Sequence, residues 1–140
     1  MSLSLLVRVA GASLIVLALF HAVLWRSLNW DREVQRLSPL NARVFAVQTF
    51  FIAFALLALG FLPLARPELL LVPSELARLL LIGVVVFWIA RLLLQSLVFD
   101  RVMRDGWTGT ALVRVCANLL WAAYALIYGA VLLRQFGMVD

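Results

Sequence analysis

The chain has 140 residues, 66% of them hydrophobic and 14% charged, with a formal net charge of +5 and a mean hydropathy of +1.08. A soluble domain of this length leaves much of its surface in water, so this apolar excess excludes a soluble globule and makes lipid the solvent. All 12 basic residues are arginines set mostly at predicted helix ends, a pattern that fixes topology and meets lipid phosphate, with no case for a nucleic-acid partner. Cys116 is the single cysteine, which excludes an internal disulfide, a CxxC redox pair and a cysteine zinc site and leaves it the part of a small buried apolar residue.

Runs free of Asp, Glu, Lys and Arg mark the bilayer crossings. The first, Val9–Trp25, has 17 residues and predicts a helix over about 5–28. Arg8 before an apolar run also fits a cleavable leader, but the run is longer than a leader's apolar region and no small-x-small site precedes a polar segment, so a retained helix is expected. NWDREVQRLSPLN (29–41) follows as the longest polar segment. Within it Trp30, Val34 and Leu37 recur at i, i+4 and i+7, predicting a short interfacial helix with its apolar face to the membrane. Ser38 and Pro39 then supply a cap and first turn for a second helix over 39–62, built on the 22-residue run Val44–Ala65 and ending near Pro63. LPLARPELLLVPSE (62–75) carries three prolines across the opposite side of the membrane. The third helix, 74–99, contains Leu79–Phe99, a run of 21 residues interrupted only by Arg91. DRVMRDGWTGT (100–110) is a turn with two glycines, after which Thr108 or Thr110 caps a fourth helix over 110–134, built on the 19-residue run Val115–Leu133 and closed by Gly137.

The expected fold is all-α: residues 1–140 form one integral membrane bundle of four transmembrane helices. Seven arginines (26, 32, 36, 43, 101, 104 and 114) flank the loops between helices 1 and 2 and between 3 and 4, against four (8, 66, 78 and 134) on the other side. The positive-inside rule therefore puts both termini outside the cytoplasm and the two arginine-rich loops inside it, in a bacterial inner membrane. SLNWDR (27–32) and SLVFDR (96–101) share Ser-Leu-x-aromatic-Asp-Arg at an offset of 69. Duplication of a two-helix hairpin, giving two parallel repeats, produces that placement, and so does independent use of one helix-end chemistry. Ala18 with Ala22, and Ala125 with Gly129, mark candidate close-packed faces.

Five polar residues fall at similar depth: His21, Gln48, Arg91, Gln95 and Asn118. Trp88, Arg91 and Gln95 share one face of helix 3, Asn41 and Gln48 one face of helix 2, His21 and Trp25 one face of helix 1, and Arg114, Asn118, Trp121 and Tyr128 one face of helix 4. Trp25, Trp30 and Trp107 fit an interfacial belt, whereas Trp88 and Trp121 lie deeper and could floor a pocket. An arginine at a helix centre costs about 2.5–3.5 kcal/mol on insertion scales, so Arg91 is expected to point inward. No Asp or Glu occurs inside any of the four runs. Amides, a carbonyl, Tyr124 or Tyr128 can solvate its guanidinium without neutralising it. That suits an anionic or carbonyl-bearing guest, with Asp31 or Asp100 folding back from the interface as the competing partner. Interhelical hydrogen bonding alone, worth about 0.6 kcal/mol per contact on average, is the plainer use of such residues.

Several activities lack their residues. A bis-histidine haem needs two histidines, a small proton-coupled antiporter an intramembrane carboxylate, and a disulfide-forming quinone reductase its cysteines. No phosphate loop, metal-ligand spacing or nucleophile elbow is present, so no catalytic residue, metal or cofactor is assigned. In outline, and in ARLLLQ (90–95), the chain resembles the MAPEG superfamily of trimeric four-helix membrane proteins. That resemblance implies glutathione and a lipophilic substrate near the cytoplasmic side. NARVFAVQTFF (41–51), however, replaces the acidic and arginine-rich start of that family's second helix, and membership is not assigned. The reading is a binding or accessory subunit with an intramembrane site made of Arg91, Gln95, Gln48, Asn118, His21, Trp88 and Trp121 for a lipid headgroup or quinone-like amphiphile. A membrane-embedded enzyme acting on a lipophilic substrate through His21 or a tyrosine, and a purely structural subunit of a homo-oligomer or larger membrane complex, are the open alternatives.

Overall fold

A computed structural model describes residues 2–27, 30–99 and 110–138. Its elements are α1 (Leu3–Ser27), α2 (Trp30–Val34), α3 (Pro39–Ala65), α4 (Glu68–Leu71), α5 (Glu75–Leu94) running directly into a π-helical turn (Gln95–Phe99), and α6 (Thr110–Gln135). Four of these helices are long and apolar enough to cross a bilayer, with spans at Leu3–His21, Pro39–Ala65, Glu75–Phe99 and Ala111–Gln135. The protein is thus an all-α integral membrane protein, as composition requires. It divides into two compact units, Met1–Pro67 and Glu68–Asp140, each an antiparallel helix hairpin.

In the first hairpin the buried and half-buried residues of α1 recur every three or four positions: Val7, Gly11, Leu14, Ala18, His21 and Trp25. That spacing keeps one stripe against a neighbouring helix along its whole length. The facing stripe of α3 runs through Ala42, Phe45, Thr49, Leu56, Gly60 and Pro63. Gln48 and Asn41 lie one position off it and are exposed. The backbones meet at two glycines. A Cβ on Gly11 would stand 2.7 Å from Gly60 O and from Leu64 N, and a Cβ on Gly60 would stand 2.7 Å from Gly11 O. Without a hydrophobic drive between helices in lipid, such close approach is what holds a pair together. Of the small-residue pairs anticipated from spacing, Ala18 is buried and the side chain of its partner Ala22 lies outside the described residues, while a Cβ on Gly129 meets nothing within 4 Å, so Ala125 and Gly129 do not mark a close contact among the described residues.

Helix ends follow the residues that satisfy them. Ser38 accepts from Asn41 N at 3.4 Å with Pro39 in the first turn, and Ser74 accepts from Ala77 N at 3.1 Å. α3 continues past Pro63 to Ala65, because proline removes only its own donor and Arg66 N still reaches Leu62 O at 2.9 Å. Arg8 Nη1 donates to Leu64 O at 2.9 Å, satisfying a carbonyl that the end of α3 leaves open. The short α2 is pinned by its aromatic end: the Trp30 ring lies 5.8 Å from Trp25 and 5.1 Å from Phe45, both edge-on. Trp107, Asp100 and Thr108 lie outside the described residues, as do the side chains of Asp31 and Thr110.

The second hairpin packs Ala77, Leu81, Trp88 and Gln95, at four- and seven-residue intervals, against Trp121, Tyr124, Tyr128, Val131 and Gln135, at three- and four-residue intervals. One end is clasped by Gln135, 2% exposed. Its Nε2 donates to Leu70 O at 2.6 Å and Val72 O at 3.1 Å, and its Oε1 accepts from Ser74 N at 3.0 Å. α6 then stops at Gly137, whose φ of 71° closes a turn with Met138 N on Leu133 O and Gly137 N on Arg134 O. Beside it the Arg78 guanidinium lies 5.5 Å over the Phe136 ring. Arg8 and Arg78 thus play matching parts, each reaching from the first helix of its hairpin to the C-terminal end of the second. Cys116, expected to be buried, is exposed on α6. A small apolar thiol has no need of a protein partner when lipid is the solvent.

Candidate functional site

The second hairpin brings together five of the seven residues singled out from sequence: Trp88, Arg91, Gln95, Asn118 and Trp121. Trp88 and Trp121 stack nearly parallel, with centroids 5.4 Å apart and planes at 11°. Tyr124 adds a third ring 4.5 Å from Trp88. Trp88 is fully buried because its position coincides with the interhelical seam, where a flat indole fills the space between α5 and α6. Arg91, three residues on, is half-buried at the edge of the same seam.

The Arg91 guanidinium lies 4.8 Å over the Trp121 ring and 5.2 Å from the centre of the Phe99 ring, and Nη1 donates to Gln95 Oε1 at 3.2 Å. Phe99 is eight residues along, a spacing that in a regular α-helix points well away from Arg91. The π-helical turn Gln95–Phe99 closes this gap, because the extra residue in a π turn returns Phe99 to the angular place of an i+7 residue. The turn begins where the Gln95 N–H is shared between Arg91 O and Leu92 O. Gln95 itself is buried, its amide turned into the hairpin. Ser96 Oγ stands 3.1 Å from Leu92 O and 3.5 Å from Asn118 Oδ1, tying the turn to α6.

These contacts account for the charge being tolerated. A hydrogen bond from an ionised group contributes about 1.5–3 kcal/mol and each cation–π contact about 0.5–2 kcal/mol, together comparable with the insertion cost of an arginine. They do not neutralise it. Among the described residues no carboxylate reaches Arg91, and of the five guanidinium N–H groups one has a hydrogen-bond acceptor. The Nε1 atoms of Trp88 and Trp121 and the hydroxyl of Tyr128 are likewise buried with no partner among the described residues. Orphaned polar groups of this kind are rare in a protein interior and more so in lipid.

The other two predicted residues belong to the first hairpin. His21 is half-buried on the α1 seam with Nδ1 2.8 Å from Leu17 O. Since a carbonyl only accepts, Nδ1 carries the proton in that bond. Gln48 is exposed on α3. Phe99 and Ser96 escaped the sequence reading, since only the π turn places them beside Arg91 and Asn118; no residue pattern in QSLVF announces that turn. No metal-ligating group of three or more His, Cys, Asp or Glu occurs among the described residues. Comparison with protein families, characterised proteins and solved structures finds no match to this chain.

Proposed function

We propose that this protein is an accessory or binding subunit of a bacterial inner membrane, and that its second hairpin holds the head of an anionic or carbonyl-bearing amphiphile, such as a lipid headgroup or a quinone-like ring, at Arg91. The observation that carries the reading is the half-buried guanidinium that meets one amide and two aromatic rings, with no carboxylate among the described residues. An acceptor oxygen arriving there gains charge-assisted hydrogen bonds in a weakly screened setting. Gln95 holds the arginine in place, Asn118 and Ser96 fix the turn that carries Phe99, and Trp88 and Trp121 supply a flat apolar wall. The seven-to-four arginine asymmetry supports an orientation with the Arg91 end toward the cytoplasm and both termini outside. A periplasmic reporter fused after Asp140 is then active, and a cytoplasmic reporter there is not.

The binding reading is tested by solvent extraction of purified wild type and Arg91→Leu, with mass spectrometry of the extracts and thermal unfolding of the proteins. The expected result is an amphiphile enriched in wild type and absent from a variant that still folds. Identical extracts combined with a lower unfolding temperature would instead make Arg91 an internal fastener of the hairpin.

A further inference from the structure

We infer that two copies of this chain pair through a second stripe of α3, with the Gln48 amides of the two copies hydrogen-bonded to each other inside the membrane. The inference does not depend on the binding reading at Arg91.

α3 presents three sectors. One is the seam with α1, which includes Ala42, Thr49, Leu56 and Gly60. A second carries Val47, Phe50, Phe54 and Phe61, all exposed and mostly bulky, with the Phe50 and Phe54 rings stacked at 6.4 Å. The third consists of Asn41, Val44, Gln48, Phe51, Ala55 and Ala58, all exposed and alternating at three- and four-residue intervals over about 26 Å of helix. This is a heptad stripe, the geometry in which one helix meets another lengthwise.

The phenylalanine sector suits acyl chains, and the third sector does not. Gln48 lies nine residues inside the start of α3 at Pro39, about 14 Å along the helix, and its amide has no hydrogen-bond partner among the described residues. An amide left unpaired in hydrocarbon is costly, and hydrogen bonding across helices is how membrane helices satisfy one. Toward the far end of the same stripe Ala55 and Ala58 leave room for a second backbone to come close.

Whatever covers this stripe must bring a donor and an acceptor to the depth of Gln48, a further polar group about 10 Å nearer the helix start opposite Asn41, and little bulk opposite the two alanines. Among the described residues no other exposed helix face carries polar side chains seven residues apart. A second α3 meets every one of these requirements. Copies inserted in one orientation are related by a two-fold axis along the membrane normal, so a residue beside the axis faces its own counterpart at equal depth. An amide holds both donors and an acceptor, so two Gln48 side chains satisfy each other reciprocally, and a polar residue at such a position also sets the register of the pair. The stripe carries no charged residue, so pairing brings no like charges together.

The test has two parts, both on the full chain. Energy transfer between donor- and acceptor-labelled copies, labelled at the N-terminal amine, is followed in phosphatidylcholine vesicles as added lipid dilutes the protein. Disulfide trapping in native membranes uses Cys116→Ala chains that also carry Val44→Cys or Phe51→Cys on the stripe, or Val47→Cys or Phe54→Cys off it. The expected result is transfer that follows a two-chain equilibrium, weakened about three- to thirtyfold by Gln48→Leu and unchanged by Val47→Leu. Val44→Cys and Phe51→Cys chains are trapped as dimers, and Val47→Cys and Phe54→Cys chains are not. The trapping pattern decides by itself where Gln48→Leu does not fold. Absence of transfer at every dilution overturns the inference, and a lowered unfolding temperature of Gln48→Leu would then show that the stripe is covered within one chain. A dimer indifferent to Gln48→Leu, or one trapped through Val47→Cys and Phe54→Cys, overturns it as well.

Discussion

Replacing Gly60 with alanine isolates the contact that joins the first hairpin. The added Cβ would lie 2.7 Å from Gly11 O and 3.0 Å from both the Cγ1 of Ile15 and the Cβ of Leu14. Relief to an ordinary separation of about 3.5 Å moves the helices apart by most of an ångström, and a gap of that size forfeits a quarter to a half of each dispersion contact along the seam. Overpacking of this kind costs about 1–3 kcal/mol. Alanine also improves intrinsic helix propensity by about 1 kcal/mol over glycine, which obscures the packing term in a single variant. Gly83 supplies the control, because a Cβ there meets nothing within 4 Å and only the propensity gain remains. Gly60→Ala is therefore expected to be less stable than Gly83→Ala by about 1–3 kcal/mol, measured by far-ultraviolet circular dichroism during SDS titration in mixed micelles. Equal stabilities for the two variants would refute the close approach of α1 and α3.

Gln135→Leu removes hydrogen bonds to Leu70 O, Val72 O and Ser74 N from a buried site, and in the same titration it is expected to cost about 2–3 kcal/mol. Arg8→Leu removes one exposed bond to Leu64 O and should cost about 1 kcal/mol or less, so a loss as large as that of Gln135→Leu would contradict the assignment of Gln135 as the main clasp.

The four crossings and the starts of α3 and α5 were legible because lipid demands long apolar runs and because Ser38-Pro39 and Ser74 begin helices by local chemistry that tertiary packing does not override. The face of α3 was not. Phe50, Phe51 and Phe54 are exposed while Leu56 is buried, so apolar residues surround the helix and apolarity cannot mark the seam. Asn41 and Gln48 were the polar markers there, and each stands one residue from a position that does lie on the seam, Ala42 and Thr49. Small residues carried the true signal at Ala42, Ala53 and Gly60. On α6 the opposite held: Trp121, Tyr124 and Tyr128 repeat at heptad spacing, and their size makes the seam readable. The site was half legible for the same reason. Arg91, Gln95 and Trp88 follow from spacing on one helix, whereas Phe99 and Ser96 depend on a π turn that is a property of the backbone.

The central claim is that Arg91 holds a guest, and native mass spectrometry of wild type and Arg91→Leu from mild detergent or nanodiscs tests it most directly. The account predicts a discrete adduct, one per chain, that is present on wild type and lost from the variant. The same lipids on both proteins in the same amounts would contradict it and leave Arg91 as a residue that only packs the second hairpin.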